Sequence, residues 1–265
     1  MTDISVDKNQ QNKSTTGQKI KAYVVGGCIL SGAQLAGSGV SQLIMNKVSK
    51  TDEFAHSNEI KEAAEKIVKE QNLSDKIKMF FMTPENKEAI LKEIGVPQKS
   101  GMPEFLDPIA QVVKGKNAFF LPQQNAILAS EKKASHVFHE LGHVMNRNNS
   151  NILKYMQSFR MALMALPSLL IFSGFSKDKE NGEKGFVKKN AGLIAGAGMG
   201  VICAEEAMAS KKGLEMAKKF LPNANLGKLA KQYGWMGATY ALIAVAMGVG
   251  TQKAVNYIDN KVHKK

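Results

Sequence analysis

His139-Glu140-Leu141-Gly142-His143 is the stretch on which the reading of this chain turns. On a helix, positions i and i+4 lie one above the other, so imidazoles spaced as His139 and His143 can converge on one ion. The glutamate after the first histidine, Glu140, then stands beside the water such an ion binds and can act as general base. The constellation needs a helix, and the flanks supply one: Ala134, Val137, Phe138, Leu141 and Val144 give it an apolar side. Three fixed residues in five arise by chance in on the order of one in a hundred chains of this length, so the surroundings must carry part of the case.

Catalytic zinc commonly takes three protein ligands and keeps a fourth position for water. Downstream, Ala204-Glu205-Glu206-Ala207-Met208-Ala209-Ser210 sets a carboxylate pair in an otherwise apolar and basic neighbourhood. Such a pair is costly there without a partner; the plain alternative is a solvated helix start. Residues 156–175 and 190–204 read as a hydrophobic hairpin with the charged loop 177–189 at its tip. A hairpin brings the chain back to the side it left, which returns Glu205 and Glu206 to the histidines. His136, one turn before His139, reads as a packing or surface histidine, with a contact to the site as the alternative.

Working outward, 265 residues at 44% hydrophobic content suffice for a substantial core. Lys and Arg number 36 against 23 Asp and Glu, a net +13 spread from Lys8 to Lys265. That field suits an anionic membrane surface, and with no nucleic-acid motif in view no nucleic-acid partner is expected. Cys28 and Cys203 lack CxxC partners, which argues against a disulfide framework or a thiolate zinc site. Four stretches, 22–45, 156–175, 190–204 and 234–250, have membrane-like composition, and small residues recur at helical spacing from Gly26 to Gly39 and from Gly192 to Gly200. Lipids are thus expected partners; a soluble domain with Gly/Ala-rich buried helices is the alternative.

The expected fold class is α+β, mainly helical, with transmembrane helices. Its parts are a disordered tail (1–20), a membrane helix (21–46), an α+β region ending in the metal helix (50–150), a hydrophobic hairpin (151–204), a third-ligand helix (205–232), and a hydrophobic helix with a basic tail (233–265). Within 50–150, Ser57 can cap a helix whose Ile60, Ala64, Ile67 and Val68 share a face. Residues 76–82 read as a strand. Thr83 reads as the cap and Pro84 as the first residue of a helix that stops at Gly95. Runs 109–113, 117–121 and 125–129 read as extended, with turns at Gly115 and 122–124.

Over about residues 110–215 this layout resembles gluzincin metallopeptidases, namely the CAAX prenyl proteases and the HtpX heat-shock membrane protease, which use an HExxH helix and a later ExxAD helix. An ExxAS helix is also similar to that of the YugP-like neutral zinc peptidases. The resemblance implies a zincin-like fold, one zinc ion, and Glu206 as third ligand with Glu205 as fallback. It also implies hydrolysis of a peptide or protein substrate, in a protein integral to a bacterial cytoplasmic membrane. Asn117-Ala118-Phe119-Phe120, with Asn125-Ala126-Ile127-Leu128, is similar to the edge strand that binds extended substrate in that family. Ser210 departs from the pattern, standing where the family has an Asp that orients a zinc-bound histidine. The linker from Ser130 to His139 is short, as in a trimmed version of the fold. The rival expectation is a non-catalytic membrane or scaffold protein with an accidental or degenerate HExxH.

Overall fold

A computed structural model describes residues 14–49, 57–97 and 107–263. The expectations for residues 1–13, for His56 and for the loop through Pro103 lie outside these. The described residues are mainly helical with one small sheet, and the chain divides into a sheet unit, Ile44–Ser158 with Ala204–Ala238, and a helical unit formed by the rest.

In the sheet unit the decisive residues are Ala126-Ile127-Leu128-Ala129, a continuous apolar run that forms β3 (Ala126–Ala129), buried along its whole length. Burial on both faces is what such a run requires of a strand. β3 is central: β1 (Lys78–Phe81) pairs parallel to it, with Met79 opposite Ile127, and β2 (Phe119–Leu121) pairs antiparallel, with Phe120 opposite the same residue. Alternate side chains face opposite sides of a sheet. Ile127 and Ala129 accordingly join one core with α2 (Ser57–Glu70) and α5 (Ala134–Asn149), through Ile60, Ala64, Ile67, Val137, Phe138 and Leu141. Leu128 joins another with Ile90 and Leu91 of α3 (Lys87–Glu93) and Val112 of α4 (Pro108–Val113). Asn125 closes the β2–β3 hairpin at φ +47°, a left-handed conformation that asparagine tolerates.

Three local expectations are corrected. Residues 109–113 form helix α4, not an extended run, because Asp107 accepts from the Ile109 N–H and Pro108 occupies the first helical position. α3 begins at Lys87; Thr83 and Asn86 instead close the preceding turn by exchanging side-chain to backbone hydrogen bonds. α1 (Thr16–Ser49) starts inside the expected disordered tail. Thr15 and Gln18 form a reciprocal capping box there, each side chain accepting from the other's N–H at 3.2 and 2.9 Å.

The helical unit holds α1 up to Leu43, α7 (Arg160–Leu170) with the 3-10 turn Ile171–Phe175, and parts of α8 (Phe186–Phe220) and α9 (Leu226–His263). The expected third-ligand segment is therefore not a helix of its own, since 205–220 continues α8, and the expected boundary at 232/233 and the basic tail both lie within α9. Among the described residues three helices are long and apolar enough to cross a bilayer, Thr16–Ile44, α8 and α9; α6 (Asn151–Ser158) and Arg160–Phe175 qualify only when taken together as a broken fourth. Leu35 (73% exposed), Leu193 (73%) and Phe186 (74%) point away from the unit's core, which is compatible with an integral membrane protein. Inside the bundle glycines replace side chains. A Cβ on Gly192 would lie 2.6 Å from the Gly248 carbonyl, and one on Gly248 2.9 Å from the Gly192 carbonyl, so α8 and α9 meet backbone to backbone.

The loop expected to be merely charged feeds a buried ion-pair network. Lys188, in the first turn of α8, reaches Asp178 at 2.7 Å and Asp259 at 2.5 Å, and Lys184 reaches the other oxygen of Asp259 at 3.0 Å.

Candidate metal centre

α5 presents His139 and His143 one turn apart, and α8 crosses it closely enough for short side chains to reach them. The crossing is set by two glycines. A Cβ on Gly142 would stand 2.1 Å from the Ala209 carbonyl oxygen, and one on Gly213 would stand 2.6 Å from that of Phe138. Positions 138 and 142 of α5 thus meet 213 and 209 of α8, an i, i+4 match on both helices. The middle residues of HELGH are usually free to vary for metal binding; here Gly142 is required by packing.

At this crossing His139 Nε2 lies 2.9 Å from Glu206 Oε2 and 3.1 Å from His143 Nε2, and His143 Nε2 lies 3.5 Å from Glu206 Oε2. A tetrahedral ion bound at 2.0–2.1 Å separates its ligand atoms by about 3.3–3.4 Å. The three donors already form a triangle of nearly that size, so two histidines and one carboxylate fit a divalent metal without rearrangement. Around this triangle two overlapping groups of buried side chains could hold a metal ion, His139 with Glu140 and His143, and His143 with Glu205 and Glu206.

The opposite faces of the imidazoles are also occupied. His143 Nδ1 lies 2.7 Å from Glu205 Oε1, and His139 Nδ1 lies 3.0 Å from Ser210 Oγ. The adjacent carboxylates have separate stations, with Glu206 among the Nε2 atoms and Glu205 behind His143. Ser210, whose role the sequence left in doubt, supplies a hydroxyl where an acid was expected. With an ion on the Nε2 atoms, both Nδ1–H groups donate outward, to Glu205 and Ser210, and each ring's tautomer is fixed.

Electrostatics favour a cation. Glu140, Glu205 and Glu206 are all buried, and buried carboxylates need compensation. Without metal the compensation comes from His143. Burial pushes its pKa down, but hydrogen bonds to Glu205 and Glu206 and the charges of Glu140 and Glu206 prevail and raise it to about 10. A divalent ion would take over from that proton. His136 behaves oppositely: burial first, then the charges of His139 and Lys133, lower its pKa to about 4, and its Nδ1 is buried without a partner.

Glu140 points toward the sheet, where its Oε2 accepts from the Phe120 N–H at 2.7 Å. Of the four residues expected as an edge strand, Phe119 and Phe120 belong to β2, an edge of the sheet, while Asn117 and Ala118 precede it. Asn117 Oδ1 accepts from the Ala118 N–H, and Phe120 bonds the site through Glu140. The companion run 125–128 is not an edge, because Ala126–Ala129 is the buried central strand.

Two further residues had no sequence signal. Gln157 of α6 donates from Nε2 to Glu205 Oε1 at 2.8 Å and to the His143 carbonyl at 2.9 Å. Tyr233 donates to the Ser135 carbonyl at 2.9 Å, and its ring lies 6.0 Å from that of His139. No family model, curated protein or solved structure matches this chain.

Proposed function

We propose that the chain is a zinc-dependent endopeptidase of a bacterial cytoplasmic membrane, acting on peptide or protein substrates and surrounded by lipid. The observation that carries the reading is the preformed triangle of His139, His143 and Glu206, with the Glu140 carboxylate grouped with the two histidines. The donor set, two imidazoles and one carboxylate, suits zinc among the common divalent ions. The resemblance to gluzincins rests on the same residues, and the zincin-like fold is proposed with it.

A zinc ion held there would supply a Lewis acid for the scissile carbonyl and an acidified water. His139, His143 and Glu206 would hold the ion, while Ser210 and Glu205 fix the rings. Glu140 takes the proton of the attacking water and delivers it to the leaving amine, the general-base role its place after His139 suits. The Phe120 N–H holds one oxygen of Glu140, which limits rotation of the carboxylate and keeps the other oxygen for that proton. β2, at the edge of its sheet, offers its backbone to an extended peptide by strand addition.

The test is zinc content together with casein cleavage by the purified full chain, with Glu140→Gln as control. Wild type is expected to carry one zinc and to cleave; Glu140→Gln is expected to keep the zinc and lose cleavage by at least 100-fold, the order associated with general-base catalysis. A wild type without zinc, or an equally active Glu140→Gln, overturns the proposal.

A further inference from the structure

His139 and His143 are held in different ways. The partner of His139, Ser210, lies on the same helix as Glu206, one turn further along, so a single element fixes both. The partner of His143, Glu205, is itself held by a third element. One amide nitrogen, Gln157 Nε2, spends both hydrogens at this point, one on Glu205 Oε1 and one on the His143 carbonyl. Glu205 Oε1 thereby accepts from Gln157 while facing His143 Nδ1, which locks the carboxylate against rotation about its side chain. The arrangement is unfavourable in one respect, because Gln157 Oε1 is buried with no hydrogen-bond partner. An amide kept in place despite a stranded oxygen is held for what its nitrogen does.

We infer that Gln157 is a positioning residue of the metal centre, acting through Glu205 to fix the ring of His143, and that α6 is therefore part of the site. The inference rests on the zinc reading of His139, His143 and Glu206. α6 otherwise contributes no buried residue to the fold, so its docking is coupled to metal affinity through one side chain. Partners of this kind, bonded to a ligand rather than to the metal, typically change metal affinity by about 10- to 100-fold when removed.

The experiment measures zinc affinity of the full chain in detergent by chelator competition, and the visible spectrum of the cobalt-substituted form. Gln157→Met, which keeps the volume and loses the donors, is expected to weaken zinc binding about tenfold and to shift the cobalt spectrum. Glu205→Gln is expected to do the same. The double variant should be no weaker than the weaker single one, because both substitutions break one chain of contacts. Gln157→Glu, close in size and independent of any packing loss in the Met variant, sets an acceptor against Glu205 and should weaken binding at least as much. Gln157 variants within twofold of wild type, or additive losses in the double variant, overturn the inference. If those variants bind normally while Glu206→Gln loses zinc, only the role of Gln157 falls. If wild type holds no zinc, the metal reading falls and this inference falls with it.

Discussion

Ser210 and Glu205 give the two histidines unequal partners, a neutral hydroxyl for His139 and a carboxylate for His143. An anionic acceptor raises the basicity of a ligating imidazole more than a neutral one, so His143 is the stronger donor of the pair. Ser210→Ala is expected to weaken zinc binding about tenfold, toward the lower end for such contacts, which chelator competition measures. The same asymmetry appears in acid–base behaviour. In the metal-free protein His143 titrates at about 10 against an ordinary 6.5. A raised folded-state pKa contributes stability that is fully present below pH 6.5 and is lost as pH rises toward 10. Melting temperature in the presence of a chelator should therefore fall across that window, while the zinc-loaded protein, whose His143 is neutral with the metal in place of its Nε2 proton, should lack this slope; equal slopes would refute the assignment. Sequence made the histidines legible because their spacing is local. It could not separate Glu205 from Glu206, because adjacent residues on a helix differ by about 100° and only the phase of α8 against α5 tells which faces the ring nitrogens. Gln157 left no trace, since nothing in an amide's neighbours announces a tertiary partner.

Among the elements, the α5–α8 crossing is the one on which the site depends. Gly142→Ala places a methyl group against the Ala209 carbonyl and is expected to destabilise the protein by about 1–3 kcal/mol and to lower zinc content, measured by thermal melting and metal analysis. Gly39→Ala, where an added Cβ meets nothing within 4 Å, serves as the control. In the helical unit, Lys188→Met leaves Asp259 with Lys184 and the His263 ring and should cost about 3 kcal/mol, the lower end for breaking a buried pair, seen as a lowered melting temperature. The apolar stripes of α2 and α5 and the run of β3 were readable because a repeat of 3.6 or an unbroken apolar segment specifies an element by itself. α4 was misread because its apolar, β-branched content outweighed the Asp107-Pro108 start signal beside it. The beginning of α1 was hidden by the polar composition of its first turn, although Thr15 and Gln18 have the spacing of a capping box. The pairing of Lys188 with Asp259 spans most of a helical hairpin and has no local signature.

For the whole molecule the question is its solvent. Among the described residues, three sufficiently long apolar helices, with large apolar side chains facing outward from the helical unit, are compatible with an integral membrane protein. The protein is expected to remain in the membrane pellet after alkaline carbonate extraction; release into the supernatant would contradict an integral location. Four membrane-like stretches were legible from composition, but the second of them, 156–175, falls across a broken pair, α6 and α7, a distinction hydropathy alone does not draw. The meeting of Gly192 with Gly248 bears on temperature as well as on geometry. Two glycines bring no rotamers to be frozen when α8 and α9 come together, and their contact buries little hydrocarbon. Hydrophobic cores weaken as water cools; this seam, made of backbone against backbone, should hold in the cold while the leucine- and isoleucine-rich core of the sheet unit loosens first.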